Sequence, residues 1–222
     1  MTDSAPPALA VFDLDGTLTW HDTLVDFLAG YVRRHPAKAL KLWRLPGVLL
    51  AYVFGGFDRG RLKSQVIKIV MGGEPKNSID SWADAFVESL HADRAFRGAA
   101  LAVLDSHRRS GDRLVLMSAS PDLYVPRIGR LLGFEFTVCT EVEWRAEILD
   151  GALKSPNLRG EEKLQCLQWL RQQYPGHSVY AYGNSASDLA HLKAAERPML
   201  VNGNLAARRQ AARLGIPVGE WL

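Results

Sequence analysis

Short apolar runs recur along this 222-residue chain, and stretches of helical periodicity separate one from the next. The runs are residues 8 to 13, Arg113 to Met117 (RLVLM), Phe136 to Thr140, Ser178 to Tyr182 (SVYAY) and Pro198 to Val201 (PMLV). Short apolar runs of this kind, closed by turn residues, read as strands buried on both faces. Helical patterns cover Ala99 to Arg109, Glu161 to Gln173, Ala186 to Ala195 and Leu205 to Leu214. Strand and helix in alternation predict an α/β fold with a parallel sheet wrapped on both faces. Val142 to Leu153 predicts a β-hairpin turning near Asp150-Gly151.

One block breaks that rhythm. From Asp22 to about Leu90 the pattern is helical throughout (LVDFLAGYV, ALKLWRL, RLKSQVIKIVM, IDSWADAFVESL), punctuated at Gly55-Gly56 and Gly72-Gly73-Glu74-Pro75. The expected division is a core of residues 1–20 and 91–222 and a helical cap of residues 21–90. Within the cap, Leu45 to Phe57 runs thirteen residues without a charge, short of the roughly 20 needed to span a bilayer. Arg33, Arg34, Lys38, Lys41 and Arg44 precede it, and Arg59, Arg61 and Lys63 follow. The simpler reading is a buried cap helix or a hydrophobic lip over the site; the basic flanks also suit a segment in peripheral contact with a membrane.

Composition narrows the function classes. Hydrophobic residues make up 47% and charged residues 23%, which leaves no case for disorder or a fibrous protein. Lys and Arg total 27 against 24 acids, and without a clustered basic face this argues against nucleic acid as the main partner. Cys139 and Cys166 sit among apolar residues and read as small buried thiols of a reducing, cytoplasmic compartment. The first residues hold Asp3 and two prolines but no basic cluster, so no secretory signal is expected.

In a parallel sheet, ligands bind just beyond the carboxyl ends of the strands. Those positions hold Asp13, Asp15 and Thr17 after the first run, and Ser118, Ala119 and Ser120 after the second; Lys163 opens a later helix, and Asn184, Ser185 and Asp188 follow the fourth run. Asp13 and Asp15 are two apart, so in an extended chain both carboxylates project to one side. A bound Mg²⁺ would account for two like charges there, being a hard cation that favours carboxylate and water oxygens. Asp13 suits a nucleophile and Asp15 a proton donor and acceptor. Ser118 and the amides of Ala119 and Ser120 can bond phosphoryl oxygens, with Lys163 as a fixed cation. Taken singly, Asp15-Gly16-Thr17 could be a turn, Ser118 a strand-end hydroxyl and Lys163 a solvated residue; only the ensemble points to chemistry. Arg59 and Arg61 read as ordinary surface arginines or as holders of a substrate carboxylate or second phosphate. The histidines show no metal-ligand spacing; His21, beside Asp22 at the expected mouth, is the one to watch.

FDLDGTLT at Phe12 to Thr19, LVLMSAS ending at Ser120, GEEK ending at Lys163 and YGNSASDLAHL from Tyr182 match, in order, the four motifs of the haloacid dehalogenase-like superfamily, which the chain resembles over nearly its whole length. The cap's position between the first two motifs resembles the phosphoserine phosphatase-like branch. The resemblance implies a Rossmann-like three-layer core, Asp13 as nucleophile, Asp15 as acid and base, Ser118 and Lys163 on the phosphate, and Mg²⁺ near Asp13, Asp15, Asn184 and Asp188. One departure is Asn184, where family members usually carry a metal-binding Asp; the amide keeps an oxygen but loses a charge, so weaker Mg²⁺ binding is expected unless Asp188 compensates. Another is Asp22, nine residues after Asp13, where phosphoserine-binding members place a longer acid; a changed substrate is expected. The function so implied is a Mg²⁺-dependent phosphomonoesterase acting on a small phosphorylated metabolite such as phosphoserine or histidinol phosphate. The alternatives are a lipid phosphatase at the membrane surface, resembling the phosphatidylglycerophosphate phosphatases, and a weakly active phosphate-binding protein. Receiver domains also combine acids, a hydroxyl and a lysine, but at about 100 to 150 residues they are smaller and lack the insert.

Overall fold

The strands, in chain order, are β1 (Leu9–Phe12), β2 (Arg113–Pro121), β3 (Phe136–Thr140), β4 (Val142–Arg145), β5 (Ile148–Leu153), β6 (Val179–Gly183), β7 (Arg197–Val201) and β8 (Val218–Gly219). They come from a computed structural model that describes residues 7–56, 58–92 and 94–222; the expected core's first residues, 1–6, and Phe57 of the apolar run lie outside the described residues. Six strands form a parallel sheet in the order β3-β2-β1-β6-β7-β8, while β4 and β5 pair as an antiparallel hairpin. This is the three-layer α/β core that the alternating pattern predicts.

Every residue of β1 is fully buried, because both faces of the strand meet apolar layers. Leu9 and Val11 face one layer, packed with Leu167, Leu170, Leu192 and Ala207, whereas Ala10 and Phe12 face the other with Leu104, Ile128 and Phe134. The same period of two sends Val115 and Met117 one way and Leu114 and Leu116 the other. Burying one side chain of this size contributes roughly 1.5–3 kcal/mol, so the middle of the sheet is the rigid part of the molecule. From β1 the chain builds outward through β2 and β3, then crosses to β6, β7 and β8 on the other side. The order reverses between β1 and β6, and a crevice opens at the carboxyl ends of such strands.

The core helices are α5 (Gly98–Arg109), α6 (Val125–Leu131), α7 (Glu161–Gln173), α8 (Leu189–Lys193) and α9 (Leu205–Arg213), and the cap holds α1 (Thr23–Arg34), α2 (Leu45–Phe54), α3 (Arg59–Met71) and α4 (Lys76–Ala92). Asp22 caps α1, its carboxylate accepting the Leu24 N–H at 2.9 Å. Phe27 of α1 stacks near Phe86 of α4 (5.1 Å between centroids) and Tyr124 of the core (4.6 Å), so an aromatic cluster fastens cap to core. The chain leaves and re-enters the core side by side: Thr19 bridges Phe96, the Trp20 N–H donates to Ala95 at 3.1 Å, and the Arg97 N–H donates to Leu18 at 2.8 Å.

Three expectations need correction. The ALKLWRL segment is a 3₁₀ helix, Pro36–Arg44, with no buried residue. The apolar run forms α2 but is not a buried helix: no residue of α2 is buried. Leu45, Val48, Ala51 and Tyr52 are half-buried on one side, and Leu49, Leu50, Val53 and Phe54 on the other are exposed, because no further layer of the described chain lies over them. The hairpin turns at Ala146-Glu147, both at positive φ (46° and 64°), not at Asp150-Gly151. Asp150 and Gly151 lie within β5, where a Cβ at position 151 would meet the Lys68 Cα at 2.8 Å, so the glycine lets the strand cross α3 closely.

Among the described residues, no helix is long and apolar enough to cross a membrane. Both cysteines are free and half-buried where buried thiols are expected, and partial burial pushes the Cys139 thiol up to about 12 and the Cys166 thiol up to about 11.

Candidate active site

Asp13 stands directly after β1, at the mouth of the crevice where the strand order reverses. Its main-chain N–H donates to Tyr182 of β6 at 3.0 Å, which extends the strand pairing to the candidate nucleophile itself. The Lys163 ammonium donates to Asp13 Oδ1 at 2.6 Å and to Asp188 Oδ1 at 2.8 Å, and all three side chains are buried. Residues 150 and 25 positions apart thus share one cation. Lys163 reaches inward because it lies in the first turn of α7, above the sheet crevice.

The charges are unevenly matched. Burial pushes the Asp13 carboxyl above the usual carboxylate range, and Lys163 offsets only part of this, since Asp188 and Asp15 act in the same direction as burial. For Lys163, burial works against the charge, but Asp13 and Asp188 outweigh it and hold the ammonium above its ordinary range. Asp188 is held below the carboxylate range in spite of its burial, chiefly by Lys163. Its Oδ2 accepts the Ser185 N–H at 3.0 Å, the Ser185 hydroxyl at 2.7 Å and the Asn184 N–H at 3.3 Å, so the turn after β6 holds it fast.

Asp15 is anchored differently. Oδ1 accepts the Thr23 N–H at 2.7 Å and the Thr23 hydroxyl at 2.6 Å, and Oδ2 accepts the Ser120 hydroxyl at 2.6 Å. Burial first, then the Asp22 charge, raise this carboxyl, so it holds a proton more readily than an exposed acid does. A carboxyl poised in this way beside a cavity can give a proton and take one back.

Asp13, Asp15, Asp22, Ala119, Ser120 and Lys163, all singled out from the sequence, line one cavity of about 540 Å³ together with Asn184, Asp188 and His21. Arg59 lines it too, whereas Arg61 lines a neighbouring groove and not this cavity. Thr17 and Ser118 are fully buried and do not face the cavity. The Thr17 hydroxyl donates to Asp13 Oδ2 at 2.9 Å, and Ser118 Oγ accepts the Ser120 N–H at 3.0 Å where β2 bulges away from β3. These two hydroxyls brace Asp13 and the bulge within β2.

Lys63, Asn157 and Arg159 also line the cavity, and sequence reasoning missed them. Lys63 of the cap donates to the Ala119 carbonyl and, at 2.6 Å, to Asn157 Oδ1, both in the core. A signal was present: Lys63 lies four residues after Arg59, on the same face of α3, while Arg61 faces away. Burial pushes the Lys63 ammonium down to about 8. Between there and the ordinary lysine value near 10.4, the unfolded chain binds the proton that the folded chain has lost, so stability should rise with pH across that window. In denaturant titrations, Lys63→Met is expected to flatten the rise between pH 8 and 10, by on the order of 1 kcal/mol for this half-buried group.

The donor set is compatible with a divalent cation. Among the described residues no three His, Cys, Asp or Glu side chains gather into a metal cage, but Mg²⁺ takes one or two carboxylates, keeps several waters and shares phosphate oxygens. Asp13 supplies one carboxylate that its burial leaves short of positive charge. The Asn184 amide lies against Gly16, where a Cβ would meet its Nδ2 at 2.0 Å, so the loop after β1 and the loop after β6 close on each other. Asp188 accepts from Lys163 on Oδ1 and from the 184–185 turn on Oδ2, and the Asp15 side chain accepts from Thr23 and Ser120. Both Asp13 oxygens accept bonds as well, from Lys163 and Thr17, so Asp13, Asp15, Asn184 and Asp188 alike stand as candidate holders of the ion.

The chain is similar to the protein CicA of Caulobacter vibrioides, at 34% identity over 195 residues that cover 86% of this chain and 84% of CicA. Its fold matches a protein of unknown function from Bordetella pertussis, with a TM-score of 0.81 at 23% identity, covering 97% of this chain and 99% of that one. It also matches a phosphoserine phosphatase captured as a phospho-aspartyl intermediate analogue, with a TM-score of 0.68 at 14% identity, covering 97% and 94%. The family model that matches, over residues 10–193, is that of the haloacid dehalogenase-like hydrolases. It spans all four motif positions around the shared cation, and to this family the chain belongs.

Proposed function

We propose that the protein hydrolyses phosphomonoesters by double displacement through a phospho-Asp13 intermediate. The observation that carries this reading is one buried ammonium, Lys163, shared by Asp13 and Asp188 at 2.6 and 2.8 Å. A fixed positive charge there favours the crowded phosphoryl oxygens of the transition state. An Asp13 oxygen attacks phosphorus while the bond to the ester oxygen breaks, and Asp15 gives its proton to the departing alkoxide. Water then attacks the phosphoryl group, Asp15 takes its proton, and free phosphate leaves with Asp13 restored. Asp13, Asp15, Asn184 and Asp188 would hold a Mg²⁺ ion, which supplies the charge that draws a phosphate dianion toward a carboxylate.

Cavity size and lining support a small phosphorylated compound. About 540 Å³ suits a ligand of metabolite or headgroup bulk. Asp22, exposed at the mouth, can meet an amine, and Arg59 and Arg159 can meet a second anion. Hydrolysis of p-nitrophenyl phosphate with Mg²⁺ tests the reaction, and a panel of phosphorylated metabolites beside a lipid phosphomonoester in micelles tests the source of the substrate. Absence of any Asp13-dependent turnover would mean that the site binds phosphate without hydrolysing it. Asn184→Asp restores a charged oxygen, and its half-saturating Mg²⁺ concentration should fall on the order of 10-fold, read by titrating the metal against turnover.

A further inference from the structure

The 3₁₀ helix Pro36–Arg44 and α2 present an apolar face that nothing in the described chain covers. Leu40 and Trp43 are each 78% exposed and Phe54 82%, and Leu49, Leu50 and Val53 are more than half exposed. A helix between protein and water turns polar residues outward. The outward side of α2 holds none, and its one polar side chain, Tyr52, lines the catalytic cavity. Six large apolar side chains within residues 40–54 make a patch and not a scatter.

The charge around this patch indicates what covers it. From Phe27 to Gly56 the chain holds Arg33, Arg34, Lys38, Lys41 and Arg44 and no acid. Lys38 pairs with Glu74, whereas Arg33, Arg34, Lys41 and Arg44 have no ion pair among the described residues. A second copy docking through the same face would bring two such cationic sets together, which opposes association. A bilayer containing anionic lipid offers hydrocarbon to the apolar side chains and negative charge to the arginines and lysines. With ten residues, α2 extends only about 15 Å, half of the hydrocarbon thickness, so it would lie in the interface and not cross it.

We propose that the 3₁₀ helix and α2 form a docking surface for an anionic lipid bilayer. The inference does not depend on the catalytic reading, because its test reads binding and not turnover. The full-length protein is sedimented with phosphatidylcholine vesicles, with and without phosphatidylglycerol. The pelleted fraction should be on the order of 10-fold larger with the anionic lipid and should fall as salt is raised. Leu50→Ser combined with Phe54→Ser should leave the protein in the supernatant with an unchanged thermal transition, since both side chains are already in water. Three results would overturn the proposal: wild type that stays in the supernatant with both vesicle types, a double variant that still pellets, or light scattering that shows a dimer which the double variant dissolves. The last would identify a second copy as the occupant.

Discussion

Asp13→Asn should lose p-nitrophenyl phosphate hydrolysis by on the order of 10⁴-fold or more, the scale on which removal of a covalent nucleophile is felt. The amide is nearly the same shape, so the bond from Thr17, 2.9 Å long in the wild type, and the strand contact to Tyr182 can survive. Thermal melting should show a folded protein, and one of normal or higher stability, because the substitution removes a buried carboxylate that Lys163 only partly compensates. Kinetics with and without the substitution, on protein of matched melting behaviour, provide the check. Retention of full activity would remove Asp13 from the reaction whatever the fate of the fold.

Lys163→Met is the second large effect, and here stability moves with activity. The ammonium is buried between Asp13 and Asp188, and without it two carboxylates face each other out of water. Breaking a buried ion pair from one side costs about 3–5 kcal/mol. In the wild type, Lys163 is held above its ordinary range, so its contribution is complete below that range and is lost as pH rises beyond it. Asp188 is held below its ordinary range and stabilises the fold above the usual carboxylate value, a contribution lost as pH falls through its own lower one. In the variant, both carboxylates are pushed upward, so the missing stability should return in part as the pH is lowered toward 5 and the acids protonate. Urea unfolding of both proteins at pH 5 and pH 8 tests this. An equal deficit at the two values would show that Lys163 acts through packing and not charge.

Much of this was legible because the core follows simple periods. Within the runs at residues 8 to 13 and Arg113 to Met117 lie strands, Leu9–Phe12 and the first part of β2, because short apolar runs in an alternating pattern suit a sheet covered on both faces. Asp13, Asp15, Lys163 and Asp188 converge because strand ends and helix starts meet at the reversal of strand order. What escaped depends on depth and on docking. Periodicity does not register how many layers lie outside a helix, so α2 reads as buried although its outer side faces water. Asp150-Gly151 reads as a turn, but the glycine serves a close crossing over Lys68, and the turn falls on two residues with no turn signature. Ser118 reads as a strand-end residue, while a bulge within β2 carries the strand on to Pro121 and turns the Ser118 oxygen toward the Ser120 N–H. Lys63 belongs to the site only because the cap rests on the core, a contact no local pattern records.

The two crossings between cap and core are hydrogen-bonded to each other, from Thr19 to Phe96 and from Leu18 to Arg97, before either meets the rest of the insert. The insert therefore hangs from a single neck instead of two separate tethers. The bonds among Asp13, Lys163 and Asp188 all lie on the sheet side of that neck, whereas Asp15 accepts from Thr23 of the insert as well as from Ser120 of the core. Of the two candidate acids after the first strand, only Asp15 therefore takes part of its footing from the insert.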